Sequence, residues 1–252
     1  MKKLLAMLLA VVMVLSMAAC AGDSDTESTP ATTDGVKVMT YAEYAAAEDD
    51  APVVVECYVQ ATQSWWQDQI VIYAQDADGA YFAYKMACSE EDAAKLVAGT
   101  KIRITGYKTS YKGMPEIAEG ATFEFVDGTD TYIAEAKDVT SLLADDTLVD
   151  YAGLFVSFTG MTVEAIKDGD GNEHAFLYNW DGSGEDGSDL YFNVSVNGAT
   201  YNFCVESYLC DKDSDVYAAV KALEIGDVID MEGFLYWYDG VNPHITSVTP
   251  AE

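Results

Sequence analysis

The sequence predicts a mainly β protein in which one five-stranded unit, with a short helix between its third and fourth strands, occurs twice in tandem. Three observations carry this. Leu96-Val-Ala-Gly99-Thr-Lys-Ile102-Arg-Ile104-Thr-Gly106 and Leu223-Glu-Ile-Gly226-Asp-Val-Ile229-Asp-Met231-Glu-Gly233 stand 127 residues apart, and the same spacing pairs Tyr111 with Tyr238 and Gly113 with Gly240. Earlier in each copy, Val59-Gln60-Ala61 answers Val163-Glu164-Ala165 at a spacing of 104, so the second copy carries an insertion between its first strand and its helix. Half of the 252 residues are apolar and 12% are aromatic, enough to bury a core in each unit.

The elements of the first copy follow in order. Val53, Val55, Cys57 and Val59 alternate with Val54, Glu56, Tyr58 and Gln60, the pattern of a half-buried strand. Ile70 to Ala74 is a second strand, turned by Asp76-Ala-Asp78-Gly79 into a third at Tyr81 to Met86. Ser89 caps a short helix through Leu96, with three acids in its first turn, and Gly99 ends it. Ile102 and Ile104 begin a fourth strand, and a loop from Tyr107 to Gly113 leads to a fifth near Glu116-Ile117. Upstream, Thr40-x-x-Glu43 is a capping box for an entry helix.

The second copy repeats the order. Phe155 to Ala165 is its first strand, with a bulge expected at Gly160. Phe176 to Trp180 and Leu190 to Val196 follow as strands, and Asn197-Gly198 makes a two-residue turn into Tyr201 to Val205. Asp213-Ser214-Asp215 opens a helix through Leu223, and Val228 to Phe234 and Pro243 to Val248 complete the set. Between the copies, Thr122 to Phe125 reads as an extra strand and Asp138 to Leu143 as a short helix.

This order of strands and helix resembles the oligonucleotide/oligosaccharide-binding (OB) fold, a five-stranded Greek-key barrel. The resemblance covers nearly all of residues 37–252 and implies two tandem barrels, one over 37–143 and one, with a longer hairpin, over 144–252.

The N-terminus gives an address. Lys2 and Lys3 precede an apolar run from Leu4 to Met17, the layout of a signal peptide over residues 1–19. Ser16-Met17-Ala18-Ala19-Cys20-Ala21-Gly22 resembles a bacterial lipobox, with Met17 where that family usually has Leu. The resemblance implies acylation of Cys20 and a lipoprotein held at the outer face of the cell membrane, which would then be a partner through the anchor. Residues 20–36 are small, polar and acidic, and are expected to form a flexible tether.

An OB barrel implies a ligand face on its second and third strands, between the loops joining strands one to two and four to five. Aromatic residues gather in those loops: Trp65 and Trp66, then Tyr107 and Tyr111, in the first copy, and Tyr236, Trp237 and Tyr238 in the second. They are the candidate ligand contacts, with packing as the competing role, since alternation buries at least one of the last three. Asp168, Asp170 and Asn172 have the alternating oxygens of a Ca²⁺ loop but lack the Gly and Glu of an EF-hand, so a metal-free Asp-Gly turn is expected. Cys57, Cys88, Cys204 and Cys210 form no C-x-x-C, and two per barrel leave disulfides and buried thiols both open.

With 13 basic and 43 acidic residues the formal charge is −30, a field that repels phosphate, so nucleic acid is expected to be an unlikely partner. Arg103 is the only arginine, His174 and His244 are the only histidines, and no nucleophile elbow, zinc-protease motif or P-loop occurs. No catalytic residue and no cofactor is expected. The sequence thus points to a non-enzymatic, membrane-anchored binding or assembly module for a glycan or a surface protein. The alternatives are a single-stranded nucleic-acid-binding OB module and a hydrolase of unspecified type.

Overall fold

The computed structural model describes residues 32–33 and 36–251. The leader, Cys20 and most of the acidic tether lie outside the described residues. Among those described, no helix is long and apolar enough to cross a membrane.

Barrel one consists of β1 (Pro52–Thr62), β2 (Gln69–Gln75), β3 (Ala80–Ala87), β4 (Lys101–Tyr111) and β5 (Met114–Ile117), with β6 (Thr122–Phe125) on the outer edge of β4. Strand β1 pairs with β2, β2 with β3, β3 with β5, β5 with β4, and β4 returns to β1. Only β3 and β5 run parallel, at Ala83 and Ile117. Barrel two has β7 (Phe155–Glu164), β8 (Leu190–Val196), β9 (Ala199–Val205), β10 (Val228–Phe234) and β11 (His244–Pro250) in the same closed order, again with one parallel pair, β9 and β11. Two closed five-stranded Greek-key barrels of the OB type are therefore present. Helix α1 (Tyr41–Ala46) enters barrel one, a single turn α2 (Glu90–Ala93) lies between β3 and β4, and α3 (Asp215–Lys221) lies between β9 and β10.

The repeat seen in the sequence is repeated in hydrogen bonds. The Gly99 N–H donates to Val59 O at 2.8 Å and the Gly226 N–H to Val163 O at 2.9 Å. In return, Val59 N–H reaches Thr100 O and Val163 N–H reaches Asp227 O. Both glycines have positive φ, +85° and +99°, and each turns the chain back to the first strand. The helices themselves end earlier, at Ala93 and Lys221 with right-handed caps at Ala94 and Ala222, so Gly99 is not the helix cap the sequence suggests. Cys57 faces Ile102 and Val55 faces Ile104; Met161 faces Ile229 and Phe158 faces Met231. The extra residue on β7 is taken up where its register shifts between Phe158 and Met161, at Gly160 with φ +63°.

Inward residues of β1, β2 and β4 close the core of barrel one, and Phe158, Phe192 and Phe203 centre that of barrel two. The capping box at Thr40 and Glu43 is formed, and Lys108 Nζ donates to the carbonyls of Tyr44, Ala45 and Ala47 at the far end of α1.

Several details differ from the sequence reading. Strand β4 runs on through Tyr111, so the loop expected from Tyr107 to Gly113 shrinks to a turn at Lys112 and Gly113, and the helices expected through Leu96 and Leu223 stop at Ala93 and Lys221. Lys137–Asp138 pairs in parallel with β7, and Val139 and Leu143 are buried in the core of barrel two. Residues 137–143 therefore belong to barrel two, upstream of the expected division at 143/144, because their apolar side chains plug that barrel. They form a 3₁₀ turn at Thr140–Leu142 rather than an α-helix. Of the expected strand Phe176 to Trp180, only Leu177–Tyr178 pairs, as an extension beside β8.

Candidate binding groove

The outward face of β2 and β3 in barrel one is apolar, and barrel two covers it. Val71, Tyr73, Phe82 and Met114 form a buried cluster with Ala152 and Phe234, against which Phe155, Tyr236 and Trp237 pack. Phe234 stacks on Tyr73 with centroids 4.5 Å apart, and Tyr236 meets Phe82 edge-on at 5.5 Å. Each such pair adds ~0.5–1.5 kcal/mol beyond its buried area. Two polar contacts fix the register of the seam: Tyr73 Oη to His244 Nδ1 at 2.6 Å, and the Phe155 N–H donating to Gln75 Oε1 at 2.7 Å.

What barrel two leaves open is a groove of about 450 Å³ along the margin of this face. From barrel one, Gln63, Ser64, Trp66, Gln69, Tyr84 and Lys85 line it; from barrel two, Glu206, Tyr208 and His244. The connection between β1 and β2 is tied across the seam, where the Ser64 N–H donates to Tyr208 O at 2.7 Å. It then makes a tight turn at Gln67 and Asp68, closed by reciprocal backbone bonds between Trp66 and Gln69. Both turn residues have positive φ, 50° and 60°, positions that Asn-Gly would fill at less cost. The turn presents Trp66 with 65% of its surface exposed, and Tyr208 is 59% exposed on the other barrel. Lys85, itself at φ +45°, is the one cation among the lining residues, and its ammonium sits over the Tyr84 ring.

The sequence candidates divide accordingly. Trp65 is half-buried against the core of barrel one and donates from Nε1 to Cys88 O, which is packing. Trp66 lines the groove. Tyr236 and Trp237 belong to the seam. Tyr111 and Tyr238 are exposed and meet each other edge-on at 6.0 Å, where the two fourth-to-fifth-strand loops touch; Tyr107 is exposed and lines a separate groove on barrel one. Tyr84, Lys85, Glu206, Tyr208 and His244 were not anticipated.

One buried and one half-buried titratable group, His244 and Glu206, reach the groove. Burial lowers His244 to about 3, so its imidazole is neutral. Burial, then the charge of Asp189, raises Glu206 to about 7. The Asp168 carboxylate, the centre of the candidate Ca²⁺ loop, already accepts from the Asp170 and Asn172 N–H groups, from Asn172 Nδ2 and from His174, and these bonds hold it well below the usual carboxylate range. Among the described residues no group of three or more acidic, His or Cys side chains is placed to hold a metal. Cys57, Cys88, Cys204 and Cys210 are free thiols.

No protein-family profile matches the sequence, and no curated protein matches it. Solved structures do. The chain is similar to a murine DNA-binding protein bound to double-stranded DNA, at 12% identity over 80% of this chain and 99% of that one, with a TM-score of 0.35. It is also similar to the HINa domain of Ifi202 in complex with a 20-bp double-stranded DNA, at 12% identity over 81% and 97% of the two chains and a TM-score of 0.35. A third is a replication protein A heterotrimer bound to single-stranded DNA, at 8% identity over 81% of this chain and 49% of that one, with a TM-score of 0.31. At these identities the likeness is one of fold. It corrects one expectation: proteins similar in fold to this chain are solved on DNA, so net charge alone is no ground for calling nucleic acid an unlikely partner. The fold itself is shown by the closed strand order of each half, two OB-type barrels in tandem.

Proposed function

We propose that the protein is a non-catalytic binding module that takes a short, unpaired, ring-bearing chain in the seam groove, its rings stacked on Trp66 and Tyr208. One observation carries this: two large exposed rings from different barrels border a single groove at the margin of an OB ligand face. The only arginine, Arg103, is bound to Glu56 and Glu124 and is not among the lining residues, which supports binding without phosphodiester chemistry.

A single-stranded oligonucleotide is the reading Lys85 favours, since one cation beside a row of rings suits one phosphate between stacked bases. The −30 charge repels the remaining phosphates. Affinity should therefore hold or rise as salt screens that repulsion, the reverse of the usual slope. A neutral oligosaccharide is the second reading, favoured by that net charge, because it offers the same ring faces without phosphate.

The test is quenching of tryptophan fluorescence in the full chain. One titrant is an oligothymidylate of about eight nucleotides, a length within the range one OB barrel covers; the other is a neutral glucan oligosaccharide. Saturable quenching by either, lost in Trp66→Ala with the melting curve unchanged, supports the module and identifies its ligand class. Quenching by neither, or binding indifferent to Trp66→Ala, overturns it.

The proposal includes an address. The leader and the Ser16-to-Gly22 segment support acylation at Cys20 and a place outside the cell membrane, and Cys20→Ser should move the protein from the membrane fraction to the soluble one.

A further inference from the structure

The geometry points to a hydrogen-bonding floor in the seam groove, made by Glu206 and His244, that reads the polar edge of the ring stacked above it. This rests on the groove being a ring-binding site and names what selects the ring.

Barrel two builds the floor. His244 opens β11 and is 8% exposed, its ring stacked on Tyr236 at 4.3 Å. Its Nδ1 is taken by Tyr73 Oη, and among the described residues its Nε2 has no protein partner, although the residue lines the groove. In the tautomer in which Tyr73 donates to Nδ1, the one the proposal requires, the neutral ring carries its proton on Nε2 and offers a donor to the groove. Glu206 follows β9 in the turn that carries Tyr208. Its Oε2 accepts from the Leu209 N–H at 2.8 Å and the Tyr208 N–H also bonds the carboxyl, which fixes the group and still leaves it lone pairs to accept with. A ring edge carrying both an acceptor and an N–H or O–H donor meets the two; an edge without a donor gives the remaining lone pairs of Glu206 nothing to accept.

The titratable and charged groups facing Glu206 are Asp189 before β8, Tyr191 on β8, Cys204 on β9, Cys210 in its own turn, Tyr73 on β2 and His244 on β11, with Lys85 on the groove's barrel-one side. Burial, then the charge of Asp189, raises the Glu206 carboxyl to about 7. Below that pH it is a neutral acid; above it, a carboxylate accepting a charge-assisted bond.

The experiment measures affinity for the oligothymidylate, whose base edge carries an N–H donor, and for the glucan, from pH 5.5 to 8.5 by the same quenching. For whichever probe binds through Trp66, affinity should rise about five- to tenfold across pH 7 and level off above 8. Glu206→Gln keeps an acceptor for the Leu209 N–H and should make the profile flat. Glu116→Gln removes the other carboxyl that burial raises to about 7, one not among the lining residues, and should leave the slope intact. A flat wild-type profile, or a slope that follows Glu116, overturns the floor while the stacking site stands. Absence of Trp66-dependent binding overturns both.

Discussion

The outward face of β2 and β3 in barrel one and that of β8 and β9 in barrel two occupy the same place in the fold and have opposite chemistry. The first presents Val71, Tyr73, Phe82 and Tyr84, and barrel two covers most of it. The second presents Tyr191, Asn193, Ser195, Thr200 and Asn202, partly open to solvent and held by its own hydrogen bonds. Asn202 Nδ2 donates to Asn193 Oδ1, Asn193 Nδ2 to Ala165 O, and Ser195 Oγ to Glu164. One topology thus yields a docking surface or a solvated surface according to the side chains on alternate positions of two strands. In barrel one the face that OB barrels turn to ligands is spent on holding the second barrel, and only its margin remains for binding.

The largest expected effect follows from that difference. Phe234→Ala removes the ring stacked on Tyr73 at the centre of the seam. A buried Phe→Ala change costs ~3–5 kcal/mol, so the melting temperature should fall by about 10 °C. Calorimetry should also resolve two transitions as the barrels lose their common face. A single transition within about 2 °C of the parent would break the claim that the apolar face joins them.

A second test compares the repeat with itself. Gly106 and Gly233 stand at the same point of β4 and β10. A Cβ on Gly233 would lie 2.3 Å from His244 O and 2.7 Å from Ile245 Cα, the backbone of β11. A Cβ on Gly106 would meet Ala121 Cβ and Ile117 Cγ2, both at 2.8 Å, and its nearest backbone atom is Ala121 Cα at 3.5 Å. The Ile117 methyl can turn aside and Ala121 lies outside the strands, so this site yields more readily than the paired backbone of β11. Gly233→Ala should therefore cost about 3 kcal/mol or more and Gly106→Ala about 1–2 kcal/mol, read from urea midpoints. Equal costs would mean that barrel two can shift its fifth strand, against the tighter fit assigned to it.

The same pair shows what was legible in the sequence. The glycines, the isoleucine register and the capping box report local requirements: a positive φ, a backbone crossing without room for Cβ, a helix start. These recur at fixed spacing because each barrel must close in the same way. Trp66 was legible as an aromatic in a polar loop. Tyr208 and Glu206 were not, since they lie in a turn with no counterpart in the first copy and acquire meaning only when barrel two docks. Tyr236 and Trp237 misled for the converse reason: an aromatic loop looks the same whether it faces a ligand or the neighbouring barrel. His244, one of two histidines, carried no signal of its partner Tyr73, 171 positions away.

The smallest expected effect tests whether anything else joins the barrels. Residues 127 apart in the sequence meet at one point: Tyr111 with Tyr238, and Lys112 with Asp239. Equivalent positions of the two copies touch there, and that contact could be read as the true joint. The physics argues otherwise. The Lys112 and Asp239 side chains keep 41% and 61% of their surface in solvent, where an ion pair is screened and its geometry costs side-chain freedom. Lys112→Ala, Asp239→Ala and the double variant should each melt within about 1 °C of the parent, with no coupling between them. A drop approaching that of Phe234→Ala, abolished by high salt, would move the joint from the apolar face of barrel one to the polar contact between Lys112 and Asp239.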